Sequence, residues 1–147
     1  MADRAGDPLR LTGNVGAGPY GAGMSSTRSV IETYCSSLDA RDWATFESVL
    51  AGDVHYELPQ TGESIRGRAA YVRFNREYPG EWRILPARVV VEGDEAVVWI
   101  SFELDGQVQN GIGFFTVDGA GRITRIVDFW PAPYEPPPGR EHLVTRG

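Results

Sequence analysis

Residues 107–137 read QVQNGIGFFTVDGAGRITRIVDFWPAPYEPP, and their pattern sets the reading of the whole chain. Two runs of alternating apolar residues meet at Asp118-Gly-Ala-Gly121, a hairpin signal. The second run carries one acid, Asp128, among Ile126, Val127, Phe129 and Trp130, and stops at a proline-rich tail. With a side-chain period of two, Ile126, Asp128 and Trp130 share one face. This strand is expected to form one wall of an enclosed pocket for a small organic molecule, with Asp128 pointing inward.

Working outward, the same period continues upstream. Strands are expected at about 82–92, 95–104, 107–117 and 122–130, joined at Gly93-Asp94, Asp105-Gly106 and the Asp118 turn. Earlier the period is helical. Val30, Ile31, Tyr34, Cys35 and Leu38 form a stripe through Ala40, with Ser26 or Thr27 placed to cap the helix. Asp42 caps a second short helix carrying Trp43, Phe46, Val49 and Leu50. Val54 to Leu58 reads as a strand closed by Pro59, then a polar loop runs to Gly67. Arg68 to Glu77 makes a third helix ending before Pro79. After Pro131 the tail begins extended and ends in a short helical turn around Arg140 to Val144.

Helices followed by an antiparallel meander predict an α+β architecture with the helices on one face of the sheet. Strand 95–104 is apolar on both faces: Ala96, Val98, Ile100, Phe102 and Leu104 on one, Val97 and Trp99 on the other. The second face needs cover, and a homodimer across the sheet supplies it.

At 147 residues the chain suits one domain. Residues 1–24 are expected to be a flexible leader, because the first 23 hold six glycines, two prolines and no hydrophobic period. Residues 25–147 form the domain, and Met24 is a candidate original start. Gly16-Ala-Gly-Pro-Tyr-Gly21 matches the dinucleotide fingerprint, but no strand precedes it and Pro19 interrupts it, so it reads as chance. The net charge is −6 with no basic run, which argues against nucleic acid and anionic membrane as partners. No run approaches the roughly 20 apolar residues of a membrane span. A single cysteine, Cys35, fits a reducing compartment, and a cytoplasmic protein is expected. His55 and His142 are scattered, so no metal site is expected, and no cofactor motif, phosphate loop or Gly-x-Ser-x-Gly elbow is present.

From about Val30 to Trp130 the chain resembles the SnoaL-like branch of the nuclear transport factor two superfamily. The resemblance is carried by Leu38-Asp-Ala-Arg-Asp-Trp43, Ile65-Arg-Gly-Arg68, Asp118-Gly-Ala-Gly-Arg-Ile123 and Asp128-Phe-Trp130. It implies a cone-like curved antiparallel sheet wrapped around three N-terminal helices, open at one end, in a protein that commonly dimerises. Steroid isomerases of this superfamily place a tyrosine on the first helix, matched by Tyr34, and acids at positions that read here Leu58 and Gly113. Leucine cannot shuttle a proton. Epoxide hydrolases of the fold use an Arg-x-Asp pair, absent from this chain, with an aspartate on the last strand that Asp128 matches. In SnoaL-like cyclases an acid on this strand carries the proton, again the place of Asp128.

Asp128 is therefore the leading catalytic candidate. An apolar cone would raise its pKa into the range useful for proton transfer. The alternative is a rim salt bridge to Arg125 or Arg66. Tyr34 and Tyr56 are candidates to offer hydroxyls to a ligand oxygen, with a backbone-bonded core tyrosine as the alternative for each. Trp130 is placed to stack on a planar substrate, or simply to fill the core. Gln109 and Gly113 share a face, one giving a neutral polar contact and the other space. Leu58 and Ile126 are assigned to the pocket wall, Arg66 to an anionic group of the ligand or to Glu63, and Asn75 to a minor contact. Cys35 is expected to be buried and inert, and Trp99 and Glu103 to face a partner subunit. The expected function is cofactor-independent general acid–base catalysis (cyclisation, isomerisation or hydration) on a hydrophobic oxygenated metabolite. The alternative is a non-catalytic binding or dimerisation module.

Overall fold

The computed structural model describes residues 19–147, with side chains from Thr27 onward. Three helices, α1 (Pro19–Ala40), α2 (Trp43–Ser48) and α3 (Arg68–Arg76), pack on one side of a six-stranded sheet. Its strands are β1 (Leu50–Leu58), β2 (Glu63–Arg66), β3 (Trp82–Glu92), β4 (Glu95–Leu104), β5 (Gln107–Val117) and β6 (Ile123–Phe129). A single 3-10 turn, Glu141–Leu143, lies in the tail. The spatial order is β2-β1-β6-β5-β4-β3.

The expected meander is present from β3 to β6, all antiparallel. The sheet as a whole is mixed, because β1 runs parallel to β6. Parallel neighbours require a long crossover, and α3 with the β3–β5 meander supplies it. The polar loop after Pro59 also contains a strand, β2, which pairs His55 with Arg66 and Leu58 with Glu63. Its four mostly exposed residues carry almost no apolar alternation, so composition could not mark it.

The predicted helical stripe is the core-facing stripe of α1: Val30, Ile31, Tyr34, Cys35 and Leu38 are all buried. Helix α1 is described from Pro19, so its start is not at the expected caps Ser26 or Thr27. Thr27 instead donates its hydroxyl to the Gly93 carbonyl at 2.9 Å, docking α1 on the β3–β4 hairpin. Residues 1–18 of the glycine-rich leader, with the first half of the fingerprint-like tract, lie outside the described residues. Asp42 caps α2 through its carboxylate, which accepts from the Thr45 N–H at 3.2 Å.

Two backbone features aim the last strand. At the β4–β5 turn Asp105 and Gly106 both have positive φ, 49° and 81°, the conformation of a type I′ hairpin. The Asp118 carboxylate accepts from the N–H groups of Ala120 (2.9 Å) and Arg122 (3.0 Å), closing the β5–β6 turn. A register shift then falls between Thr116 and Val117, opposite Arg125 and Ile123. The extra residue, Thr124, changes the parity of β6, so Ile123 and Ile126 are both buried although three apart. From Ile126 onward the alternation places Asp128 and Trp130 on the helix side.

Candidate active site

Between the helices and the inner face of the sheet lies a cavity of about 240 Å³. Leu38, Ile84, Ile100, Phe102 and Trp82 form much of its apolar wall, and Phe74 and Tyr78 line it from the α3 side. Gln109 and Tyr78 are solvent-exposed and mark its open end.

Asp128 lines this cavity and is 6% exposed. Its Oδ1 is buried and has no hydrogen-bond partner. Burial pushes the carboxyl up from its ordinary 3.8 to about 7, and the hydrogen bond from the Tyr56 hydroxyl pulls the other way. The rim salt bridge is not formed: Arg125 pairs with Glu57 at 2.7 Å, on the outer side of the sheet with His55.

Tyr56, on β1, reaches both the Asp128 carboxyl and the Trp130 indole, and burial, then the charge of Asp128, raises its pKa. Tyr34, on α1, meets a residue that sequence reasoning did not single out. Its hydroxyl stands 2.5 Å from the hydroxyl of Tyr71 on α3, and burial holds both phenols above their ordinary pKa. The Asn75 side chain donates to the Tyr71 carbonyl at 2.9 Å and also lines the cavity. The signal for Tyr71 was available. Tyr71, Phe74 and Asn75 recur at helical spacing on one face of α3, and Tyr78 continues the spacing just past its end.

Trp130 is fixed by its backbone. Its N–H donates to Gln60 Oε1 at 2.5 Å and its carbonyl accepts from Gln60 Nε2 at 3.2 Å. Its ring meets Phe102 edge-on with centroids 5.5 Å apart. Leu58 and Gln109 also line the cavity.

Three of the expected substrate contacts stand elsewhere. Ile126 is fully buried, paired in register with Tyr56 and Phe115, and belongs to the core behind the wall. Arg66 is exposed on β2, because the loop that was to carry it is an edge strand. Gly113 leaves no space for a ligand: a Cβ there would fall 2.8 Å from Asp128 Oδ1 and 2.7 Å from Phe115 Cε2.

The arrangement joins one buried carboxyl, three buried phenols and neutral amides to an aromatic wall. Among the described residues no lysine, arginine or histidine lines the cavity, so none of them offers a ligand anion a counter-charge there. Among the described residues no group of three or more His, Cys, Asp or Glu is placed to hold a metal ion. Cys35 is buried beside α1's other core residues, and burial pushes its thiol up to about 12.

Residues 31–126 match the SnoaL-like domain model. No curated protein matches the chain. Among solved structures, a candidate ketosteroid isomerase from Kribbella flavida is 46% identical, with a TM-score of 0.82 over 84% of this chain and 91% of that one. An epoxide hydrolase of M. tuberculosis, described as LEH-like, is 21% identical, with a TM-score of 0.63 over 74% and 84% of the two chains. A candidate polyketide cyclase from Sinorhizobium meliloti is 21% identical, with a TM-score of 0.61 over 69% and 94%. These last two likenesses are of fold. The matched domain, the three helices and the curved, open mixed sheet agree, and the chain belongs to the SnoaL-like domain family, with the nuclear transport factor two-like fold.

Proposed function

We propose that this chain is a cofactor-independent enzyme that moves a proton on a neutral, hydrophobic molecule bearing a carbonyl or similar oxygen. The observation that carries the reading is Asp128: a carboxyl buried in an aromatic-walled cavity, with one oxygen unpartnered and its pKa raised to about 7. A buried acid with an unmade hydrogen bond is costly to keep, and proton transfer is a function that needs it. As a base, Asp128 takes a proton from a carbon beside the ligand carbonyl. The C–H electron pair moves into an enolate, whose oxygen accepts hydrogen bonds from Tyr34 or Tyr56. Return of the proton from Asp128 to another carbon completes an isomerisation; attack by the enolate carbon on a second carbonyl of the ligand, whose oxygen takes up the displaced electron pair and the proton held by Asp128, completes a cyclisation. The likeness to the Kribbella flavida protein favours isomerisation, with Asp128 in the place of a base that Leu58 cannot supply.

A neutral aromatic ketone, 2-acetylnaphthalene, tests the proton step without knowledge of the natural substrate. In D2O the protein is expected to exchange its methyl hydrogens, with a rate that rises as pH passes about 7 and Asp128 ionises. Asp128→Asn is expected to slow the exchange by about 10²–10⁴-fold. Equal rates in the two proteins would end the reading and leave a binding module. The same proposal includes a homodimer formed through the outer sheet face, where Val90, Trp99, Ile112 and Phe114 are exposed.

A further inference from the structure

Gly111 and Gly113 lie in the middle of β5, where glycine weakens a strand. Neither has a positive φ, so the backbone does not require glycine at either position. Space is the remaining reason. Gly113 is the ladder partner of Asp128. A Cβ on it would fall 2.8 Å from Asp128 Oδ1, with Phe115 Cε2 at 2.7 Å. A Cβ on Gly111 would fall 2.6 Å from Cζ3 of the Trp130 ring and 2.8 Å from its Cε3. Both distances are shorter than real Cβ contacts, so an added methyl must displace what lies over it.

We infer that Gly111 and Gly113 form a two-residue slot that positions the Trp130 ring and the Asp128 carboxyl over β5, setting cavity width and the seat of the acid. The slot explains why the carboxyl can lie back against the sheet, where water does not reach Oδ1. It also explains how so large a ring as Trp130 is held against β5 at the cavity wall. The two glycines are positioning residues, acting through side chains on the neighbouring segment. The functional meaning of the slot rests on Asp128 as proton carrier; the geometry does not.

Carbon-13 NMR of the labelled aspartate carboxyls, with the Asp128 signal assigned by its loss in Asp128→Asn, reads the first half. In Gly113→Ala the methyl drives the carboxyl off β5 toward the cavity, and the Asp128 midpoint is expected to fall from about 7 toward its ordinary 3.8. Phe115 would also be struck, so Gly113→Ala/Phe115→Leu is compared with Phe115→Leu alone. That pair isolates the contact with Asp128 and serves if the single variant does not fold. Gly119→Ala, where a Cβ meets nothing within 4 Å, is the control and is expected to leave the midpoint in place. For the second half, Gly111→Ala is expected to weaken binding of 2-acetylnaphthalene roughly tenfold while acetophenone, one ring smaller, binds as before. An unmoved or raised Asp128 midpoint overturns the first half, and equal losses for the two ketones overturn the second. Undiminished exchange by Asp128→Asn would remove the acid–base reading while a shifted midpoint in Gly113→Ala still established the slot.

Discussion

The hydroxyls of Tyr34 and Tyr71 stand 2.5 Å apart, one carried by α1 and the other by α3, 37 positions further along the chain. Each phenol owns one proton, so one of the two donates to its neighbour while the other keeps a free O–H. Burial raises both pKa values, which keeps both groups neutral donors near pH 7. Where Tyr71 donates to Tyr34, the Tyr34 proton remains for a ligand oxygen. Tyr71→Phe is then expected to cost about 1 kcal/mol of stability in urea titrations, from loss of a buried hydrogen bond. It should also weaken 2-acetylnaphthalene binding, and Tyr34→Phe should weaken it more. Unchanged ketone affinity in both variants would show that the pair is structural only.

Asp128 makes the fold's stability depend on pH in an unusual direction for an acid. Its folded midpoint, about 7, lies above its ordinary 3.8, so the folded chain holds the proton more tightly than the unfolded chain. Stability from this group is present in full below about 3.8 and declines as pH rises toward 7, then levels off. The decline has an upper bound of roughly 4 kcal/mol. Asp128→Asn keeps the shape and removes the charge. The variant is expected to be more stable than the parent at about pH 8 and to lose that advantage at about pH 5. Urea midpoints at both pH values check the sign, and an advantage that grows on acidification would contradict it.

Tyr56 bears on the same titration from the opposite side. Its hydrogen bond to Asp128 favours the carboxylate and opposes the larger effect of burial. Tyr56→Phe is therefore expected to raise the Asp128 midpoint above about 7. In the exchange assay the pH at which the rate rises should move up with it, and the plateau rate should fall if Tyr56 also holds the enolate oxygen. A lower midpoint in the same carboxyl NMR titration would show that the bond favours the neutral acid.

How much of this was legible in residue order follows from the range of each interaction. The α1 stripe, the Asp42 cap and the Asp105-Gly106 turn are decided within a few residues, and the sequence shows them where the structure has them. The inward turn of Asp128 was also legible, since alternation from Ile126 fixes it once the strand is identified. The parallel pairing of β1 with β6 was not, because it depends on a crossover that no local pattern encodes. Arg66 was misplaced for a similar reason: β2 exists by pairing with β1 rather than by its own composition. Gly113 looked like room for a ligand, and only the ladder partner shows that Asp128 already fills it. Ile126 shares the face of Asp128 but lies deeper, behind Tyr56 and Phe115, and distance from a cavity is not a property of a pattern.

The outer face of the sheet makes the last prediction. Trp99 and Val90 are each 50% exposed, and Phe114 and Ile112 are close to that, on neighbouring strands. The Trp99 indole already donates to Asn110 Oδ1 at 2.9 Å, so its polar group is satisfied within the chain and its ring is left for apolar contact. A contiguous apolar surface of this kind on an open sheet gains most by meeting its own copy, which buries the same side chains twice around one axis. The purified protein is expected to sediment near twice its 16.1 kDa chain mass at micromolar concentration. Trp99→Glu would bring two carboxylates together across such an axis at little cost to the isolated fold, because the side chain is outside the core. That variant should sediment as a monomer with its cavity intact, shown by unchanged binding of 2-acetylnaphthalene. A parent protein that is monomeric under the same conditions would leave the face without the partner proposed for it.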